Sequence, residues 1–174
     1  MSPVAIRRLQ ELGEREIAAL GDVLIDCVDG GASVSFLRPL GRDKADAFWR
    51  AAAASVARGE RIVLVAEDDA GAIVGTVQVL LNLPENQPHR GEIVKMLVHR
   101  RARRLGLGAR LLAAAESAAL AAGKTLLLLD TVSGSDGDRL YARHGWQALG
   151  PIPNYALWPD GEPCAATIFW KALR

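Results

Sequence analysis

The stretch Ile93-Val94-Lys95-Met96-Leu97-Val98, then His99-Arg100-Arg101-Ala102-Arg103-Arg104, then Leu105-Gly106-Leu107-Gly108-Ala109-Arg110 decides how this chain is read. Its first six residues form an apolar run of strand length. From Gly106 to Ala122, Leu107, Leu111, Ala114 and Ala118 recur at helical spacing, flanked by Leu112, Ala115 and Ala119, so the turn between lies at a helix start. There the first N–H groups lack an intrahelical partner and the helix dipole is positive. Gly106 and Gly108 carry no Cβ, so the backbone can close tightly and approach a ligand. Five arginines between Arg100 and Arg110 add positive charge. A diphosphate is what such a turn holds best.

Other readings of the glycines fit less well. A dinucleotide fingerprint wants Gly-x-Gly-x-x-Gly directly after a strand, with an acid further on where Asp130 lies. Here Leu111 replaces the third glycine and several charged residues separate the strand from Gly106. The Gly-x-x-x-x-Gly-Lys-Ser/Thr nucleotide pattern is absent. The plainest alternative is a glycine that merely starts a helix, beside arginines on a solvated face.

Arg103-Arg104-Leu105-Gly106-Leu107-Gly108 also resembles the pyrophosphate-loop signature of the GNAT family of N-acetyltransferases, Arg/Gln-x-x-Gly-x-Gly/Ala. Val98 lies five residues before Arg103, and Glu92-Ile93-Val94 precedes it at the spacing of that family's central strand. The resemblance covers most of the chain. It implies an α/β GNAT fold, with a mixed sheet of about six to seven strands splayed between two parallel central strands and about four flanking helices. It also implies acetyl-CoA as co-substrate, bound by Arg103, Arg104, Leu105, Gly106, Leu107, Gly108 and Ala109, with N–H groups of Met96, Leu97 and Val98 facing the thioester.

The 174 residues, half of them apolar, are enough for one sizeable core, and a single domain over 1–174 is expected. The formal net charge of +1 argues against condensation on nucleic acid or an anionic membrane. Met1 to Gly13 has no apolar signal core, and no apolar run approaches the roughly 18 residues of a membrane span, so a soluble, cytoplasmic protein is expected. Cys27 and Cys164 read as two buried free thiols; together with His89, His99 and His144 they show no metal-like spacing.

In chain order, Val4 to Leu9 reads as an edge strand and Glu14 to Val28 as an amphipathic helix presenting Ile17, Leu20, Leu24 and Cys27 or Val28. Ser33 to Leu40 is a loop. A second helix runs from Asp43 to about Arg58. In the resemblance these helices and their loop border the acceptor pocket, and Phe36 reads better as a core aromatic than as a pocket wall. Ile62 to Ala66 and Ile73 to Leu81 should pair antiparallel around an acidic turn. Asn82 to Arg90, with Pro84 and Pro88, is a surface loop that reads better as a simple connection than as a lining for a substrate entrance. Leu126 to Leu129 has no polar face, as suits a strand covered on both sides and parallel to the one before. Asp138 to His144 is a short helix, and Trp146 to Asn154 and Ala166 to Leu173 are the last strands.

Acyl transfer to an amine needs a group to take the amine's proton, fixed N–H donors for the developing oxyanion and a donor for the departing thiolate. Asp130, at the carboxyl end of the second parallel strand, can take the first role or can simply cap the following turn. Glu92 aligns with the general base of the family's histone-modifying members, and it shares a face with Val94, Met96 and Val98 if that strand is regular. A bulge would break this, so Asp130 ranks first. Tyr141, in Leu140-Tyr141-Ala142-Arg143-His144-Gly145-Trp146, resembles the family's tyrosine that approaches the coenzyme sulfur. The asparagine common seven residues earlier is Gly134 here, leaving Ser133 and Ser135 as possible replacements. Asp130 with Tyr141 is similar to the catalytic pair of the branch containing tabtoxin resistance protein. A small-molecule amine is the expected acceptor, with a protein N-terminus or lysine, or a non-catalytic acyl-CoA-binding domain, as alternatives. A homodimer is a further expectation.

Overall fold

The structure is a computed structural model describing residues 4–174; the reading of Met1 to Gly13 falls partly outside them. The elements in order are β1 (Ala5–Leu9), α1 (Glu14–Asp29), α2 (Arg42–Ala57), β2 (Arg61–Glu67), β3 (Ile73–Leu80), β4 (Arg90–Val98), a 3₁₀ turn (Arg100–Ala102), α3 (Leu107–Ala121), β5 (Leu126–Val132), α4 (Asp136–Arg143), β6 (Gln147–Leu157) and β7 (Pro163–Ala172). The seven strands form one sheet in the order β1-β2-β3-β4-β5-β7-β6. Only β4 and β5 run parallel, joined through α3.

Each face of the sheet has its own apolar cluster. On one, Leu107, Leu111, Leu112 and Ala115 of α3 pack on Ile62, Leu64, Val79, Ile93 and Leu127. On the other, Leu20, Leu24 and Trp49 of α1 and α2 pack on Val63, Val65 and Leu97. The helical stripe foreseen in α1 is the buried one.

Two readings need correction. Leu127 and Leu129 are buried, but Leu126 and Leu128 are only half-covered, because α1 and α2 lie chiefly over β2, β3 and β4 and leave that face of β5 open. The central strand is also irregular. Thr76 pairs with Leu97 and Gln78 with Val94, so Val77 faces two residues, Lys95 and Met96, and Lys95 sits at a left-handed φ of 52°. Glu92 and Val94 therefore face the α1–α2 side, while Met96 and Val98 pack on the α3 cluster. Glu92 does not share a face with Met96 and Val98.

The sheet opens just before this irregularity. Arg90, Gly91 and Glu92 pair with Leu126, Leu127 and Leu128; beyond them β4 and β5 part.

Candidate active site

Where β4 and β5 diverge lies a cleft of about 510 Å³, walled by Lys95, Met96, Asp130, Tyr141 and Tyr155 and reached by Phe36 of the loop after α1. Phe36 is half-buried and meets Phe48 edge-on at 5.5 Å, so it is a pocket wall as well as a packed aromatic. Asp130 is exposed to this cleft at the carboxyl end of β5. Burial raises its pKa, the Lys95 ammonium opposes that rise and the nearby Glu92 carboxylate adds to it.

Tyr141 enters from the α3 side. It is 5% exposed and wedged against Trp146 and Phe169, each at 5.8 Å between ring centroids. Trp146 is anchored by its Nε1–H donating to Glu116 at 2.8 Å, and Glu116 also pairs with Lys171 at 2.7 Å. Burial, and secondarily the charge of Asp130, pushes the Tyr141 phenol far above its ordinary value. It therefore stays protonated at every pH at which the fold is ordinarily studied.

Glu92 does not line the cleft; its carboxylate pairs with Arg90 at 2.7 Å. Leu97 is buried among α1 and α2 residues. His99 donates its N–H to Val74, so strand alternation keeps Leu97 in the ladder with β3 and turns the backbone of Met96 and Val98 toward the gap. Ser133 shares a hydrogen bond with Thr167 at 2.8 Å, and Ser135 accepts the Asp138 N–H at 3.2 Å as the α4 N-cap. Both hydroxyls thus serve the fold.

The turn into α3 is a row of donors. Arg104 and Gly106 adopt φ of 62° and 73°, and no N–H from Arg104 to Ala109 reaches an acceptor among the described residues. A Cβ on Gly106 would meet nothing within 4 Å, so the approach is open. Donors without acceptors at a helix N-terminus fit a diphosphate. The arginines do less than their number suggests: Arg100 pairs with Asp26 at 2.9 Å and Arg101 with Asp68 at 3.1 Å. Arg103 donates to the Val98 carbonyl at 3.1 Å and Arg110 to that of Val4 at 2.6 Å. Only Arg104 of the five has no such partner among the described residues.

Sequence reasoning missed Lys95 and Tyr155. The signal for Lys95 was present, a lone cation inside an otherwise apolar strand; Tyr155 lies in the run Ile152-Pro153-Asn154-Tyr155-Ala156, which shares the resemblance to the tabtoxin-resistance branch but assigns the tyrosine no role. Cys27 and Cys164 are free and buried, and the described residues hold no metal-like group of His, Cys, Asp and Glu. No helix among them is long and apolar enough to cross a membrane.

The chain belongs to the acetyltransferase (GNAT) family, whose model matches residues 32–146, and it is an acetyl-CoA-dependent acetyltransferase. It is 27% identical to an uncharacterized N-acetyltransferase of the hisH-hisA intergenic region of Azospirillum brasilense, over 92% of this chain and 98% of that protein. A shorter match, 46% identical over 56 residues, links 32% of this chain to 27% of the N-terminal acetyltransferase complex ARD1 subunit homolog of Dictyostelium discoideum. The yncA protein of Salmonella typhimurium, solved with its cofactor acetyl-CoA, superposes with a TM-score of 0.79 at 20% identity, over 99% of this chain and 95% of that one.

Proposed function

We propose that this single domain moves the acetyl group of acetyl-CoA directly to a primary amine of a small molecule in the cleft between β4 and β5. The observation that carries the reading is one cavity with Asp130 on its wall from one face of the sheet and Tyr141 from the other. Acetyl-CoA supplies an activated thioester. The free N–H groups of Arg104 to Ala109, with Arg103 bracing the turn from behind, hold its diphosphate. Backbone N–H groups of Met96 and Val98 face the thioester carbonyl, where negative charge develops.

Asp130 receives the amine's proton, directly or through water, and its raised pKa makes it a stronger base than an ordinary carboxylate. Tyr141 donates a hydrogen bond to the leaving sulfur. With its phenol pushed so high, full proton transfer to a thiolate whose own pKa is near 8.5 by analogy with cysteine is uphill, so the bond rather than the proton is its contribution. Glu92 acts as a neighbour that tunes Asp130. Ser133 and Ser135 offer their backbone rather than their hydroxyls to the coenzyme arm. The small acceptor and the kinship with the tabtoxin-resistance branch rest on the Asp130–Tyr141 pair and on a cleft roofed by Phe36 and Tyr155; cytoplasmic location and a homodimer belong to the same proposal.

The test follows acetyl-CoA-dependent thiol release over a panel of amines. Asp130→Asn should abolish most turnover while calorimetry shows coenzyme affinity kept. Release with a peptide N-terminus and with no small amine would favour the protein-acetylating reading instead.

A further inference from the structure

Lys95 is the one cation among the residues that line the cleft, the reaction scheme leaves it unused, and its setting is unusual. The bulge places it at φ 52°, in the wall of the cleft, one residue before Met96. Its ammonium donates to the Ser35 hydroxyl at 3.0 Å and stands 5.5 Å from the centre of the Phe48 ring. Among the described residues it has no carboxylate within 4.0 Å. Burial penalises its charge, and Asp130 is the group whose field supports it.

Asp130 lines the same cavity, and it too has no ion-pair partner within 4.0 Å. Opposite charges thus face one cavity across a gap they do not close. A structural lysine and aspartate would be expected to meet, since an unpaired charge in a partly desolvated site is costly. A ligand bearing both charges completes both, its ammonium on Asp130 and its carboxylate on Lys95. Around this pair Phe36, Leu37, Tyr155 and Leu157 leave room for an apolar substituent.

We infer that Lys95 is an acceptor-carboxylate subsite, and that the amine acetylated here is an α-amino acid with an apolar or aromatic side chain. This rests on the reading of the cleft as an amine acetyltransferase site. No bond beyond that reaction is made or broken: the carboxylate stays ionised on Lys95, while the amine loses its proton toward Asp130 and gains the acetyl carbon.

The experiment compares amino acids with their decarboxylated partners by thiol release: leucine with 3-methylbutylamine, phenylalanine with 2-phenylethylamine, methionine with 3-methylthiopropylamine. Each acid should have the higher kcat/KM, with the difference mainly in KM. Because α-amino groups are less basic than alkylamines, the decisive quantity is how the acid-to-amine ratio changes in Lys95→Met. That ratio should fall about tenfold or more, as expected for losing a hydrogen bond to a charged group, and Lys95→Arg should restore most of it. A ratio the same in wild type and Lys95→Met, with both substrates slowed alike, overturns the subsite and leaves Lys95 as a brace for the Ser35 loop. A wild-type protein that acetylates amines but prefers none of the acids overturns it equally. Release with neither series overturns both the subsite and the small-amine reading beneath it.

Discussion

Desolvation raises the pKa of both Asp130 and Tyr141, yet the consequences differ with the form each must take, an ionised base in one and a protonated donor in the other. A carboxylate acts as a base only when ionised, so the rate should rise as pH passes through its pKa, which burial has moved above the usual carboxylate range. Glu92→Gln removes a negative neighbour and should move this rising limb to lower pH; Lys95→Met removes a positive one and should move it higher. A pH–rate profile separates the two, and loss of all turnover in Glu92→Gln would make Glu92 the base. Tyr141→Phe should lower kcat by about 10–10²-fold, on the scale of a lost hydrogen bond to a charged group. No falling limb near pH 10 should be assigned to this phenol, because its titration lies higher. Both residues were readable from the sequence through the strand end and the Tyr-x-x-x-Gly-Trp spacing. Their shifts were not, since these depend on Trp146, Phe169 and Lys95 arriving from elsewhere in the chain.

At the scale of elements, the start of α3 and the kink in β4 do the positioning. Gly108→Val is a poor probe of the α3 turn, because a Cβ there already meets Leu140 at 3.3 Å. Ala109→Asp is cleaner. It places an acid in the first helical turn, which suits the helix dipole and should hold or slightly raise the melting temperature. The same charge beside a bound diphosphate should weaken acetyl-CoA roughly tenfold or more, since a like charge about 4 Å away costs about 1–4 kcal/mol near a surface. Calorimetry showing unchanged affinity would detach the diphosphate from this turn. The helix and its glycines were plain in the sequence because helical periodicity and missing Cβ atoms are local properties. The bulge was foreseen only as a possibility. Its position depends on how β3 pairs across Val77, and no pattern within β4 records that.

The whole molecule holds its cleft open by building a core on each face of a sheet whose middle strands pair over only three positions. Leu111, fully buried on α3 and within reach of Gly75 on β3, ties the α3 turn to that sheet. Leu111→Ala should cost about 2–5 kcal/mol in urea unfolding, the range for a leucine removed from a packed core. The antiparallel β2–β3 pair and the parallel β4–β5 unit followed from the sequence, because an acidic, glycine-bearing turn and a strand–helix–strand connection leave few topologies. The uncovered face of β5 did not. Four consecutive leucines specify burial, yet where α1 and α2 stop is set by their packing on β2 to β4. The arginine cluster was likewise visible as charge and silent about its partners in α1 and the β2–β3 turn. The most direct test of the account is the kcat of Asp130→Asn beside its calorimetric affinity for acetyl-CoA, across the pH range in which the protein stays folded. A loss of about 10²–10⁴-fold in kcat, disappearance of the carboxylate limb and unchanged coenzyme binding are expected. Wild-type turnover with the limb intact would contradict it.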